Sequence, residues 1–201
     1  MVSLRDHWGC LDFLRASWFS ERVGRDGVRL SENVTPLYAH AFFSVSRSGE
    51  FHQLLTYDYY DPDEYYLSLE YNPEEYDMEI QKLWLNMQDF LEEEVNLVNG
   101  KKVYPKVIYT DIQFRGSETM PFILWIISFK GEFKKGENVY QTVTEEEVLE
   151  YDCDAIWVFP EDCRILSVTT PMDYEIMNNI LLLWARKGDK IGGQEEIRFK
   201  L

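Results

Sequence analysis

The sequence predicts an α+β fold: a largely antiparallel sheet of about eight strands, an N-terminal helix and two long capped helices packed on one face. Three observations carry this expectation. Residues 4–22 place apolar side chains at steps of three and four, the period of a helix with one buried stripe. Two later stretches share a cap, proline, acid device that opens helices. The remaining apolar runs are short, and they either alternate with polar residues or are apolar on both faces, as strands are.

In chain order, the first helix covers residues 4–22, with Leu4, Trp8, Leu11, Leu14 and Trp18 as its stripe. Residues 24–33 read as a polar loop containing arginine. From Leu37 the period becomes two: LYAHAFFSVS and FHQLLTYDYY flank Arg47-Ser48-Gly49-Glu50, a hairpin with Ser48 and Gly49 at its tip. That tip sets Val45 opposite His52 and His40 opposite Tyr57, so His40 and His52 point to opposite faces. Asp61-Pro62-Asp63 is turn chemistry, and YYLSLEY reads as a third strand. Asn72-Pro73-Glu74-Glu75 then opens a long helix that runs to Leu97 and is stopped by Asn99-Gly100.

Beyond Gly100 the segments VYPKVIYTDIQF, MPFILWIISF, VYQTVTEEEVLEY, AIWVFP and RILSVTT read as strands, with residues 123–129 central. Thr170-Pro171-Met172-Asp173 repeats the helix-opening device and predicts a second long helix through Arg186. Gly188 and Gly192-Gly193 break the chain before a terminal strand over residues 195–201, where Ile197, Phe199 and Leu201 alternate with charge. That strand pairs within its own sheet or with a second subunit, giving a homo-oligomer.

The expected domain organisation is a single domain over residues 1–201. A shift of 98 residues lays Pro62 on Pro160, Pro73 on Pro171, Tyr76 on Tyr174 and Leu83 on Leu181. One reading is an internal pseudo-twofold duplication, with halves 37–100 and 101–187 and a ligand seam between them. The other is convergence, because two helices entered from strands favour the same cap chemistry.

With 45% hydrophobic and 15% aromatic residues among 201, the chain belongs with folded proteins. Its net charge is −16, yet residues 1–50 balance six arginines against six carboxylates, so the whole acidic excess follows residue 50. Such a surface repels phosphate backbones and anionic lipid, and the sequence predicts neither nucleic-acid nor membrane partners. Uncharged runs reach only residues 119–129 and 176–185, short of the ~20 residues of a membrane span, and no apolar run near the start suggests a leader. Cys10, Cys153 and Cys163 lack metal-ligand spacing, and a strand after Cys153 followed by a turn holds Cys153 and Cys163 too far apart to bond. A reducing, cytoplasmic location is the expectation. Low Gln and Asn beside abundant Glu suggests a heat-adapted source.

No GxSxG, HExxH, CxxC, phosphate-binding glycine loop or EF-hand loop is present. Asp58, Asp61 and Asp63 have calcium-like spacing but lack the required glycine and carry Pro62 between them. His7 and Cys10, three apart on a helix, are the candidate nucleophile pair, since imidazole lowers a thiol pKa. His40 and His52 are the candidate metal ligands, of which one at most can join His7. The candidate binding surface is Tyr57, Asp58, Tyr60, Asp61, Asp63, Glu64, Tyr65 and Tyr66, where aromatic rings framed by carboxylates attract organic cations or a partner's Lys and Arg. Arg5, Arg15, Arg22, Arg25 and Arg29 are placed to clamp an anion or to dock on the acidic body.

Together these predict a non-enzymatic, cofactor-free recognition protein for a basic protein partner or small organic cation. The alternatives are a hydrolase-like or metal-dependent enzyme with its site in the seam, and a structural subunit that assembles through the terminal strand.

Overall fold

The computed structural model describes residues 33–201. The expected N-terminal helix, with His7, Cys10 and the five arginines before Glu32, lies outside the described residues. The chain runs β1 (Thr35–Val45), β2 (Glu50–Tyr60), α1 (Tyr65–Leu69), α2 (Pro73–Glu93), β3 (Val95–Val98), β4 (Lys101–Val103) and β5 (Lys106–Phe114). It continues through β6 (Pro121–Lys130), β7 (Glu137–Val148), β8 (Asp152–Val158), β9 (Arg164–Thr169), β10 (Asp173–Met177), β11 (Ile180–Ala185) and β12 (Lys190–Lys200). Sheet A is seven-stranded in the order β10-β11-β8-β1-β2-β6-β5, and sheet B five-stranded in the order β4-β3-β7-β12-β9. The fold is therefore mostly β, with one long helix, and the expected α+β architecture with two long helices is wrong.

Three local decisions account for the difference. Thr170-Pro171-Met172-Asp173 does not open a helix. Residues 173–185 form the β10–β11 hairpin, turned at Asn178 with a positive φ of 58°. The Thr170 hydroxyl accepts from the Met172 N–H at 3.2 Å, a side-chain turn in which the hydroxyl takes a backbone donor locally. The run ILLLWA suits either period, and antiparallel pairing of β11 with β8 settles it by sealing Leu181, Leu183 and Ala185. Because α2 carries the residues that a 98-residue shift lays on this hairpin, helix falls on strand, and the pseudo-twofold duplication fails.

In the second place, Tyr65–Leu69 is a short helix and not a strand. The Asp61 carboxylate accepts the Tyr66 N–H at 2.9 Å, and the Glu64 carbonyl accepts the Ser68 N–H; these local bonds outcompete a ladder. In the third, α2 begins as expected, with Asn72 Oδ1 accepting from the Glu75 N–H and Pro73 in the first turn, but ends at Glu93. Asn99 and Gly100, expected as a helix stop, both have positive φ (52° and 76°) and turn the β3–β4 hairpin, the pairing that a two-residue hairpin loop demands.

The β1–β2 hairpin also has a register one residue from the expected one: Val45 pairs with Phe51 and His40 with Thr56. Gly49 N–H donates to the Ser46 carbonyl at 3.1 Å, and Gly49 takes φ 83°. The loop is thus a turn plus a left-handed glycine, one residue longer than a two-residue tip. A one-residue slip exchanges the two faces of a strand, so His40 and His52 share a face, separated by four strand positions or roughly 13 Å.

A single hydrophobic cluster fills the space beneath sheet A. Sheet B covers part of sheet A's inner face: Tyr140 of β7 stacks or tilts against Phe51 (5.7 Å), Phe129 (6.1 Å) and Trp157 (5.1 Å). Helix α2 covers another part, with the Trp125 indole N–H donating to the Leu83 carbonyl at 3.2 Å. Strands from both expected halves interleave in sheet A. β12 is hydrogen-bonded to β7 on one side and β9 on the other, which leaves neither of its edges free for a second copy. Among the described residues no helix is long and apolar enough to cross a membrane, which says nothing of a β-barrel.

Candidate functional site

The outer face of sheet A carries no layer of strand or helix among the described residues, and its composition sets it apart. Pairing places Leu182, Ile156, Phe42, Leu54 and Ile126 in one row across β11, β8, β1, β2 and β6. Phe42 and Leu54 at the centre are 36% and 39% exposed, large values for apolar residues in the middle of a seven-stranded sheet. The row beside it reads Asp173, Trp184, Asp154, His40, Thr56, and the next brings Asp152, Tyr38, Asp58 and Phe122 together. Glu175 closes the β10 end of the apolar row. The surface is an apolar stripe with carboxylates along one long side and at its β10 end, while the row on its other long side carries Val158, Ser44, His52 and Ser128.

Its polar centre is Asp154, which accepts from the Tyr38 hydroxyl at 2.7 Å and from His40 Nδ1 at 2.8 Å. A carboxylate only accepts, so Nδ1 carries the imidazole proton. The hydrogen bond to Asp154 holds the His40 pKa above its usual value, against an opposing effect of burial. Burial works against ionisation of Asp154, yet the hydrogen bonds from His40 and Tyr38 outweigh it and hold the carboxyl below its usual range. Burial and then the Asp154 hydrogen bond push the Tyr38 hydroxyl up. Nearby, Arg115 Nε donates to Asp58 at 3.0 Å while its guanidinium sits 4.0 Å over the Phe122 ring. The cluster holds a fixed negative group beside rings and aliphatic carbons, the chemistry that receives a cationic side chain with an apolar stem.

The structure divides the sequence-predicted surface. Asp58 and Tyr60 lie on the open face, Tyr60 at its margin. Asp63 and Glu64 are exposed on the loop after β2, where Asp63 accepts from Asn33 at 2.6 Å and Glu64 takes a left-handed φ of 54°. Tyr57, Asp61 and Tyr66 are sealed inside. Tyr57 stands edge-on to Trp125, and Asp61 is spent as the acceptor for the Tyr66 N–H. Tyr65 is half-buried against Tyr66, its hydroxyl pushed up to about 12 by burial and then by Glu79. With Asp58 paired to Arg115 and Asp61 inside, the three aspartates do not converge on a cation.

His40 is engaged with Asp154, and His52 is exposed. Among the described residues no group of three His, Cys, Asp or Glu side chains is placed to hold a metal. His7 and Cys10 lie outside the described residues. Cys153 and Cys163 are free and buried, and burial pushes their thiols up to about 12 and about 11, away from nucleophilic use. Between the sheets, Thr142, Trp157, Thr170 and Glu195 line a cavity of about 30 Å³, room for about one water. Glu195 accepts from the Thr170 hydroxyl there, and burial pushes its carboxyl up to about 8.

Sequence reasoning missed Asp154, Tyr38, Trp184 and Arg115. Asp154 is brought level with His40 only by the parallel pairing of β1 with β8, which local sequence pattern does not reveal. Neither a protein family nor a curated protein matches this chain.

Proposed function

We propose that this chain is a non-enzymatic recognition protein that binds a basic, amphipathic segment of a protein partner on the open face of sheet A. The observation that carries the reading is the row Leu182, Ile156, Phe42, Leu54, Ile126, flanked on one side by Asp58, Asp152, Asp154 and Asp173 and at one end by Glu175. An apolar strip of this kind takes the hydrophobic side of a partner, and its acidic border takes flanking Lys and Arg and rejects acidic segments. Tyr60, Asp63 and Glu64 extend the acidic, aromatic margin beyond β2. Two buried free thiols suit a reducing compartment, and we place the protein in the cytoplasm.

The test uses the full chain and two synthetic amphipathic helices with the same apolar face, one bordered by Lys and one by Glu. The Lys peptide is expected to bind, to weaken with rising salt, and to lose affinity several-fold against Phe42→Ala or Tyr60→Ala. Equal binding of the Glu peptide, or binding untouched by both substitutions, overturns the reading.

A further inference from the structure

Among the described residues four strands end the two sheets: β10 and β5 in sheet A, β4 and β9 in sheet B. An edge strand leaves a row of N–H and C=O groups unpaired and is a template for another strand, so proteins guard their edges with bulges, Lys, Pro, brevity or cover. Three of these edges are guarded. β5 is bulged between Val107 and Tyr109, and α2 takes its Val107 N–H on Gln88 Oε1 at 2.9 Å. β4 is three residues long, and two of them are lysines. β9 opens on Arg164, and its ladder with β12 is irregular at Arg198 and Phe199.

β10 has none of these devices. Its five residues, DYEIM, include no Lys, Arg or Pro, pair with β11 without a register shift and are all exposed. The strand alternates in chemistry. Asp173 and Glu175 lie on the open face, level with Trp184 and Leu182, while Tyr174 and Ile176 lie on the other, level with Leu183 and Leu181. Tyr174 and Ile176 are 46% and 38% exposed, so the inner face is also open at this edge. A strand laid beside β10 continues the same two rows: Lys or Arg comes opposite Asp173 and Glu175, and apolar side chains come opposite Tyr174 and Ile176. Both charges of β10 are negative, so the edge selects its occupant by sign. A second copy in the full-length antiparallel register would set Glu175 opposite Glu175, like charge on like, and would join two bodies that each carry −16.

We infer that β10 receives an extended segment of a basic partner protein as an additional strand of sheet A, with its Lys and Arg on the open-face side and its apolar residues on the other. This rests on the reading of the chain as a recognition protein for basic partners, and it extends the binding surface from the open face to its β10 edge. Glu175 belongs to both, since it ends the apolar row and lies on the strand that is augmented. Main-chain hydrogen bonds along β10 supply affinity, and the alternation of acid and apolar side chains supplies the choice of sequence.

The experiment titrates the isotope-labelled full chain with short peptides of alternating Val and Lys and reads amide exchange along the backbone. The plain peptide is expected to bind and to slow exchange at alternate amides of residues 173–177. Its fully N-methylated form keeps the side chains and loses the ladder donors, and should bind roughly ten-fold more weakly. A Val-Glu peptide should not bind, and the exposed substitution Glu175→Lys should weaken the Val-Lys peptide several-fold. Protection that falls on β4, β5 or β9 overturns the inference, as does equal binding of the N-methylated or Val-Glu peptide, or an affinity untouched by Glu175→Lys. Protection of β10 that grows with protein concentration in the absence of peptide marks a second copy as the occupant and overturns it too. If the Lys-bordered helix binds the open face while the Val-Lys strand leaves β10 unprotected, the edge inference falls and the recognition reading stands. If neither binds, both fall.

Discussion

The two faces of sheet A are made by the same seven strands, one residue out of step. On the inner face Phe43, Leu55, Ile123, Trp125 and Trp157 are sealed by sheet B and α2. On the outer face Phe42 and Leu54, next in sequence to Phe43 and Leu55, and Trp184 of β11 remain more than a third exposed. Both faces carry large apolar side chains, so a single Phe or Leu does not by itself tell which face is inside. What separates them is cover, and cover follows from register and from where the long elements land.

The largest expected contrast is energetic. Trp125→Ala removes a fully buried ring and its bond to the Leu83 carbonyl and should cost about 3–5 kcal/mol in a denaturant titration. Phe42→Ala, on the other face of the same sheet, should cost about 1 kcal/mol or less. Equal losses would mean that the two faces are equally enclosed.

Ionisation gives a second contrast, because the two regions shift a carboxyl in opposite directions. Glu195, between the sheets, is pushed up to about 8. Its protonated form stabilises the fold fully below the ordinary pKa near 4.5, and that contribution is lost as pH rises toward 8. The loss is on the order of a few kcal/mol. Glu195→Gln should therefore flatten the decline in stability between pH 5 and 8, as read by thermal melts. On the open face the signs reverse for Asp154, whose lowered pKa gives stability that is lost as pH falls below the ordinary carboxylate range. Its partner His40, with a raised pKa, gives stability present below the ordinary imidazole value and lost as pH climbs through the raised one. The pair is strongest in mildly acidic solution. His40→Gln should remove a small alkaline-side decline, and the His40 imidazole resonances should titrate above the free value. A His40 titrating below it would break the contrast.

A further test addresses the origin of the two faces. A Cβ at Gly49 would sit 2.1 Å from the Gly131 carbonyl oxygen, and φ 83° is strained for any other residue. Gly49→Ala should cost roughly 1–3 kcal/mol and broaden the amide signals of β1 and β2, whose register this glycine sets. A neutral substitution would show that the register is fixed elsewhere.

Much of the strand content could be read from the chain, and less of its arrangement. The start of α2 was legible because Asn72, Pro73 and Glu75 act locally. The hairpin of β1 and β2 and the alternation of Ile197 and Phe199 in β12 were legible from period two, whereas β6, expected at the centre because it is apolar on both faces, is the sixth of seven strands, between β2 and the edge strand β5. Residues 173–185 were not, since a cap-like tetrapeptide followed by an apolar run has no period of its own until β8 supplies a partner. Asn99-Gly100 misled because the same two residues end helices and turn hairpins, and only their paired positive φ distinguishes the two. Of the anticipated surface, Asp58 and Tyr60 reach the open face, whereas Tyr57, Asp61 and Tyr66 turn inward. Asp154 lies 114 residues from His40, beyond the reach of local pattern.

The position of β12 between β7 and β9 sets an order on biosynthesis. During translation β9 emerges with no ladder neighbour, and it stays unpaired until residues 190–200 have followed it. Sheet B is thus completed late, by the strand made last among its five. All seven strands of sheet A precede β12 in the chain, so a chain that ends before residue 190 lacks Phe199 and leaves the rings of Phe133 and Phe159 that pack on it uncovered.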